Sequence, residues 1–340
     1  MRRSVVLMVM WAVFAAGAAV GEQPKPPRED TFYKKSLHYT NRGIEFIYSK
    51  EQGGLERLTG VSAEKMGCLQ AKCHVRGCDE CHAAEREGKW EYSVARAKTE
   101  AACTRCHPVP EDTPDVHFKM GMKCMDCHSG REIHGDGVVY DTYLQPGFFD
   151  TRCEDCHTNI PLTSVHAIHG GKLDCRVCHA SQITTCFNCH IDTRLATGKD
   201  SQIPVEGLFF LVNHDNKVKL GNVISYVYGN KTMITVAPAF PHTIVKKGRS
   251  CPECHATDLV RGVKKGSLEL FAWRDGKPVT PEGVVPIIEG MKWNLTYLGK
   301  DGDVWVPLTD ASRPLVNFSG YCSPLTADQL KKLEKRQPAR

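Results

Sequence analysis

The sequence predicts a mainly α and irregular fold with small β-hairpin elements toward the C-terminus, and three observations carry that prediction. Seventeen of the 340 residues are cysteine, and fourteen of them fall in seven copies of one pentapeptide, C-x-x-C-H. Residues 68–190 hold most of these copies, a density that leaves no room for an ordinary side-chain core. Beyond residue 203 the composition becomes β-branched and aromatic, punctuated by Asn, Asp and Gly, the pattern of short paired strands.

The chain opens with Arg2 and Arg3, an apolar run from Val5 to Val20, and small residues up to Gly21 before the polar Glu22. This is the layout of a cleavable secretory signal over residues 1–21. The apolar run is shorter than the roughly 20 residues that span a bilayer as a helix. Cleavage near Gly21 is therefore favoured over an anchor, and the mature protein is expected to be periplasmic or secreted. Residues 22–67 form a proline-rich leader followed by "GIEFIYS", read as a short strand, and "LERLTG", read as a turn.

Residues 68–260 form the motif-bearing domain, in which "HAAEREGKWEYSVARAKTEAAC" is the best helical candidate. A β insertion at about 203–236 comprises "LFFLVN", "NVISYVY" and "TMITVAP". In residues 261–340, two hairpins are expected to turn at Asp275-Gly276 and Asp301-Gly302. A terminal helix begins at Thr326, where Thr326 and Gln329 form a capping box and Leu325 can staple to Leu330.

The pentapeptide occurs at Cys78/Cys81/His82, Cys103/Cys106/His107, Cys124/Cys127/His128, Cys153/Cys156/His157, Cys175/Cys178/His179, Cys186/Cys189/His190 and Cys251/Cys254/His255. A shuffled chain of this composition would contain roughly 0.04 copies. Two cysteines three residues apart can form thioethers to the two vinyl groups of one porphyrin, and the adjacent histidine then reaches the iron from the same side. Structural zinc is the competing reading, but zinc would use the cysteine pairs without requiring a histidine after each. Cys68, Cys73 and His74 repeat the pattern with a four-residue spacer, read as a further site; a spare thiol pair is the alternative. The expected cofactor is therefore eight covalently attached haem c, or seven if the Cys68/Cys73 site is empty, and the fold is expected to be haem-packed. Cys322 has no motif and reads as a small buried side chain.

Eight of the fifteen histidines are then proximal ligands. The other seven, His38, His117, His134, His166, His169, His214 and His242, are the candidate distal ligands. Eight irons would need eight, so the supply is one short, which points to one iron that is five-coordinate or ligated by Lys, Met or water. Loss of Arg2 and Arg3 with the signal lowers the formal charge from +5 to +3. Haem propionates then carry the holoprotein to net negative charge. Nothing in this balance favours nucleic acid.

The segments "GMKCMDCHSGREIHGDG" and "VHAIHGGKLDCRVCH" resemble the octahaem c-type cytochromes of the tetrathionate reductase type, in the superfamily that includes hydroxylamine oxidoreductase. The resemblance covers roughly residues 60–260. It implies stacked haem pairs, bis-histidine ligation at all but one iron, and distal roles for His134, His166 and His169. It matches no lysine to the ligand of the active-site iron in that family; Lys119, Lys123 and Lys172 lie near motifs. Tyr297 and Tyr321 follow the last motif, where the hydroxylamine oxidoreductase type carries a crosslinking tyrosine.

Two functions follow as expectations. The first is an exported electron carrier that exchanges electrons with redox partner proteins such as a membrane quinol oxidase or another cytochrome. The second is a reductase of a small sulfur or nitrogen compound, such as tetrathionate, nitrite or hydroxylamine, at the iron lacking a distal histidine. No catalytic residue is assigned, and an oligomer is compatible with either.

Overall fold

The computed structural model describes residues 32–67, 75–110, 112–161, 163–169, 171–266 and 268–333. Residues 1–21, expected to be a signal, and the expected Cys68/Cys73/His74 site lie outside them. Among the described residues no helix is long and apolar enough to cross a membrane.

The architecture corrects the expected fold class. About 28% of the chain is helix and 26% strand, in several sheets, so the molecule is a mixed α/β protein and not a mainly α, haem-packed one. Its helices are short, most of them one or two turns, and its core is built by strands.

The described residues form fifteen strands. β1 (Ala83–Arg86) and β2 (Lys89–Tyr92) form an isolated antiparallel hairpin. The central sheet contains β3 (Thr185–His190), β4 (Ile203–Val205), β5 (Leu208–His214), β6 (Lys217–Tyr228) and β7 (Lys231–Pro238), with β10 (Gly283–Pro286), β14 (Leu315–Phe318) and β15 (Cys322–Ser323) added from the C-terminal part of the chain. β8 (Glu269–Arg274), β9 (Lys277–Val279) and β11 (Asn294–Leu295) form a second layer, and β12 (Leu298–Asp301) pairs with β13 (Val304–Pro307).

The twelve-residue β6 is the spine of the central sheet. It pairs antiparallel with β5 and β7 and parallel with β3. β5 and β6 meet at Asp215-Asn216, whose φ values of 54° and 56° give the left-handed pair that suits a two-residue hairpin. β10 and β14 run parallel to β5 and β7 respectively. Three of the C-terminal strands, β10, β14 and β15, thus share one sheet with the strands of the β insertion, while β8, β9, β11, β12 and β13 lie in others.

Phe187, Phe210, Val223, Ile234, Phe271, Val285 and Leu298 interdigitate as the main core, each essentially inaccessible. A second cluster lies beneath the C-terminal helix Ala327–Leu333, where Leu325 is buried and Leu330 packs against it. The third joins β3, β6 and β7 to the helix Leu55–Thr59.

Three further local readings are corrected, the first being "LERLTG", read as a turn, which is the helix Leu55–Thr59. "GIEFIYS" is the helix Arg42–Tyr48 instead of a strand. The stretch from His82 to Cys103 is not one helix: β1 and β2 turn at Glu87-Gly88, both at positive φ, before two short helices, Val94–Ala97 and Glu100–Thr104. The hairpin at Asp275-Gly276 forms where expected, whereas the second turns one residue later than expected, at Gly302-Asp303 between the paired Asp301 and Val304. The Thr326 cap also forms, with Thr326 N–H donating to Gln329 Oε1 at 2.8 Å and Gln329 N–H to Thr326 Oγ1 at 3.3 Å.

Candidate functional site

Six of the seven described C-x-x-C-H motifs take the same local shape, a single helical turn. In five, the histidine N–H donates to the carbonyl of the first cysteine: His82 to Cys78, His107 to Cys103, His128 to Cys124, His157 to Cys153 and His179 to Cys175, at 2.9–3.0 Å. The sixth is the helix Cys251–His255. Spacings of three and four residues on such a turn bring both sulfurs and the imidazole to one face. In four of the motifs the residue before the second cysteine is acidic and caps the turn. Glu80 accepts from Arg76 N, Asp126 from Lys123 N, Asp155 from Arg152 N and Glu253 from Ser250 N, at 2.6–2.9 Å.

Across from each of these six motif histidines stands one histidine from outside the motifs. The ring centroids are 5.9 Å apart for His82 and His134, 6.2 Å for His107 and His38, and 6.0 Å for His128 and His242. They are 6.1 Å apart for His157 and His117 and 6.3 Å for both His179/His166 and His255/His169. The pairing is one to one. Rings joined by a direct N–H···N bond would sit about an ångström closer, whereas two imidazole nitrogens each about 2.0 Å from a shared metal place their centroids roughly 6 Å apart.

In six of the twelve paired rings the far nitrogen is anchored, while Nδ1 of His38 and of His82 is buried without a hydrogen-bond partner. Nδ1 of His117 meets Asp115 Oδ1 at 3.1 Å and Nδ1 of His128 meets Glu132 Oε2 at 2.7 Å. Nδ1 of His166, His169, His179 and His255 meets the carbonyls of Pro161, Val165, Val245 and Leu333. Such bonds fix the tautomer and leave Nε2 as the acceptor nitrogen, the usual support of a metal-ligating histidine. Space is kept there too: a Cβ at Gly248 would lie 3.2 Å from His179 Cε1 and 3.3 Å from its Nε2.

The motifs form a row. Cys81 is an electrostatic neighbour of Cys106, Cys103 of Cys124, Cys127 of Cys156, Cys153 of Cys175, and Cys178 of both Cys251 and Cys254. Consecutive motifs are thus spatial neighbours from Cys78 to His255, with 186–190 omitted. Burial pushes the thiols of Cys81, Cys127 and Cys178 up, and that of Cys254 up to about 12.

The motif at Cys186/Cys189/His190 departs from the other six. It is the strand β3, broken by Asn188 at φ 55°, with Cys186 and Cys189 only 5% and 8% exposed. His190 is held by Thr193 Oγ1 at 2.9 Å from Nδ1, and the ring facing it at 6.3 Å is Trp305. Lys300 Nζ sits 4.0 Å from the Trp305 ring centroid. Burial and Lys300 lower the His190 pKa, and Asp192 opposes them.

His214 also stands apart. It is 2% exposed, its Nε2 donates to Leu144 O at 2.8 Å, and its Nδ1 accepts from Lys219 Nζ at 2.9 Å, so both ring nitrogens are engaged. Lys123 is ion-paired with Glu100 at 2.8 Å. Tyr321 donates to Asp141 Oδ2 and stacks on Phe46, and Tyr297 is buried. Cys322 is buried in the main core.

The expected cofactor content, eight covalently attached haem c or seven with Cys68/Cys73 empty, is corrected by this geometry. Among the described residues no group of three or more His, Cys, Asp or Glu side chains converges as a metal site. The fold is not packed around haem, and the 186–190 motif is a buried strand with no histidine opposite. Cys68, Cys73 and His74 lie outside the described residues. What the described residues do provide is six two-histidine pairs. Sequence reasoning missed the supports Asp115, Glu132 and Gly248 and the Trp305/Lys300 neighbourhood of His190. Asp115 and Glu132, two and four residues from their histidines, are the ones that local spacing could have revealed. Compared with known proteins, the chain matches no family model, no curated protein and no solved structure.

Proposed function

We propose that this chain is an exported c-type multihaem cytochrome that carries electrons along a row of bis-histidine centres. The observation that carries the reading is the one-to-one pairing of six motif histidines with six histidines from elsewhere in the chain, at 5.9–6.3 Å. A porphyrin supplies four of an iron's six ligands, so two histidines and no larger protein cluster is the set such a centre needs. The cysteines of each turn would hold the group covalently and the paired imidazoles would hold its iron. When bound, haem iron supplies one-electron redox chemistry.

The surface supports the same reading. Trp90, Met120, Val138, Val139, Ile160 and Ile168 are large apolar side chains left exposed, Trp90 by 74%, and all lie in the segment that carries the pairs. A covering apolar group accounts for them better than water does. Resemblance to the tetrathionate reductase type is part of the proposal, supported by the engagement of His134, His166 and His169 with motif histidines. The proposed partners are redox proteins such as a quinol oxidase or another cytochrome.

A second reading, reduction of a small sulfur or nitrogen compound, is favoured by one observation: among the described residues His190 faces Trp305 and Lys300 and no histidine. Intact mass and the EPR spectrum of the ferric protein test both. Added haem mass with low-spin signals inert to ligands supports the electron carrier and sinks the reductase. A high-spin signal that changes with nitrite, hydroxylamine or cyanide supports the reductase. A mass equal to the bare polypeptide defeats both.

A further inference from the structure

Two of the six pairs are supported differently from the rest. His117 and His128 donate Nδ1–H to carboxylates, whereas His166, His169, His179 and His255 donate to backbone carbonyls. Both carboxylates are deeply buried, Asp115 at 3% and Glu132 at 4% exposure. Asp115 Oδ1 also accepts from His117 N at 2.8 Å and its Oδ2 from Ile244 N at 2.8 Å. Ile244 lies two residues beyond His242, so one carboxylate ties together the outer histidines of both centres. Glu132 Oε1 accepts from Asp150 N at 2.8 Å. Every one of these partners is a donor, a role only acceptor oxygens satisfy.

The two supported centres, His128/His242 and His157/His117, are the third and fourth of the row, its middle. A carboxylate bonded to a ligating imidazole raises the ligand's basicity and places negative charge beside the metal, which favours the ferric over the ferrous state. Low exposure keeps that charge from being screened by salt.

On the electron-carrier reading above, we propose that Asp115 and Glu132 are positioning residues that hold the two central centres at more negative reduction potential than their neighbours. Electrons crossing the row therefore pass over a rise at its middle, and each half fills before the centre does.

Redox titration of the purified holoprotein, followed by absorbance and EPR, tests this with Glu132→Gln and Asp115→Asn, which keep size and remove charge. In the unmodified protein two low-spin centres are expected to reduce last. Each variant should move one of them, at a given applied potential, to at least a tenfold higher ratio of reduced to oxidised haem, a shift of about 59 mV for a one-electron couple. Low-spin spectra and haem content should be unchanged. Unaltered potentials in the variants overturn the proposal. So does an unmodified protein in which no two centres separate to low potential, a result that needs no variant to fold. Absence of covalent haem is a different failure, that of the electron-carrier reading itself.

Discussion

His214 and His242 read alike in the sequence, as histidines outside any motif between the sixth and seventh pentapeptides, and the structure gives them opposite employment. His242 lies 6.0 Å from His128 with no protein bond drawing it away, while His214 spends both nitrogens on Leu144 and Lys219. If the electron-carrier proposal holds, His242→Ala is expected to convert one ferric centre from low to high spin and open it to cyanide, seen by EPR and absorbance. His214→Gln should leave the spin states as they are and cost about 1–3 kcal/mol of stability, the price of unpaired buried polar groups. The pH dependence separates them further. Burial lowers the His214 pKa below its ordinary value near 6.5, so the folded state keeps it neutral where the unfolded chain takes up a proton. Its contribution is complete above pH 6.5 and is lost as pH falls toward the folded value. Urea midpoints measured between pH 7 and 5 should therefore fall less steeply for His214→Gln than for the unmodified protein.

Among the elements, those set by local chemistry were legible and those set by distant partners were not. The second C-terminal hairpin turns one residue later than expected, at Gly302-Asp303, whereas Asp275-Gly276 turned as expected because a two-residue hairpin demands left-handed residues that Asp-Gly supplies. Glu87-Gly88 does the same, but Glu, Lys and Ala around it are helix formers and outweighed a turn signal carried by Gly88 alone. "GIEFIYS" is too short for a period of two to be told from one of 3.6. The strands β10, β14 and β15 are two to four residues long and pair with β5 and β7, so no local pattern announces them. That is why the β content was underestimated and the fold class misread. The same contrast holds in the candidate site. The six helical-turn motifs and the strand motif share one pentapeptide, and only the β-branched "ITT" and Phe187 around the latter hint at a strand. The Thr326 cap links element to site, since the helix that it starts ends at Leu333, whose carbonyl accepts His255 Nδ1. Thr326→Ala should cost about 1 kcal/mol, measurable as a lowered urea midpoint.

At the scale of the molecule the chain has two kinds of interior. Around residues 183–325 apolar side chains fill the space between sheets, and Phe187, Phe210 and Phe271 are essentially inaccessible there. Around residues 75–169 buried apolar side chains are few: Ala102, Leu144 and Phe148 are the described ones, while large apolar residues face outward. Burial at roughly 25 cal/mol per Å² of apolar surface must offset about 1–2 kcal/mol of backbone entropy per ordered residue. The β region meets that demand with its own side chains, and among the described residues the histidine-rich region buries few of its own. If the electron-carrier proposal holds, the two regions should respond differently when haem attachment is withheld. In protein produced without covalent attachment, hydrogen exchange is expected to remain slow at β-sheet amides from Phe210 to Val212, Leu220 to Val227 and Met233 to Val236. Amides between Cys103 and His169 should exchange at least a hundredfold faster than in the holoprotein. Equal protection of both regions in the apoprotein would show that residues 75–169 hold themselves together, and the exposed face around Trp90, Met120 and Ile168 would then need a different covering.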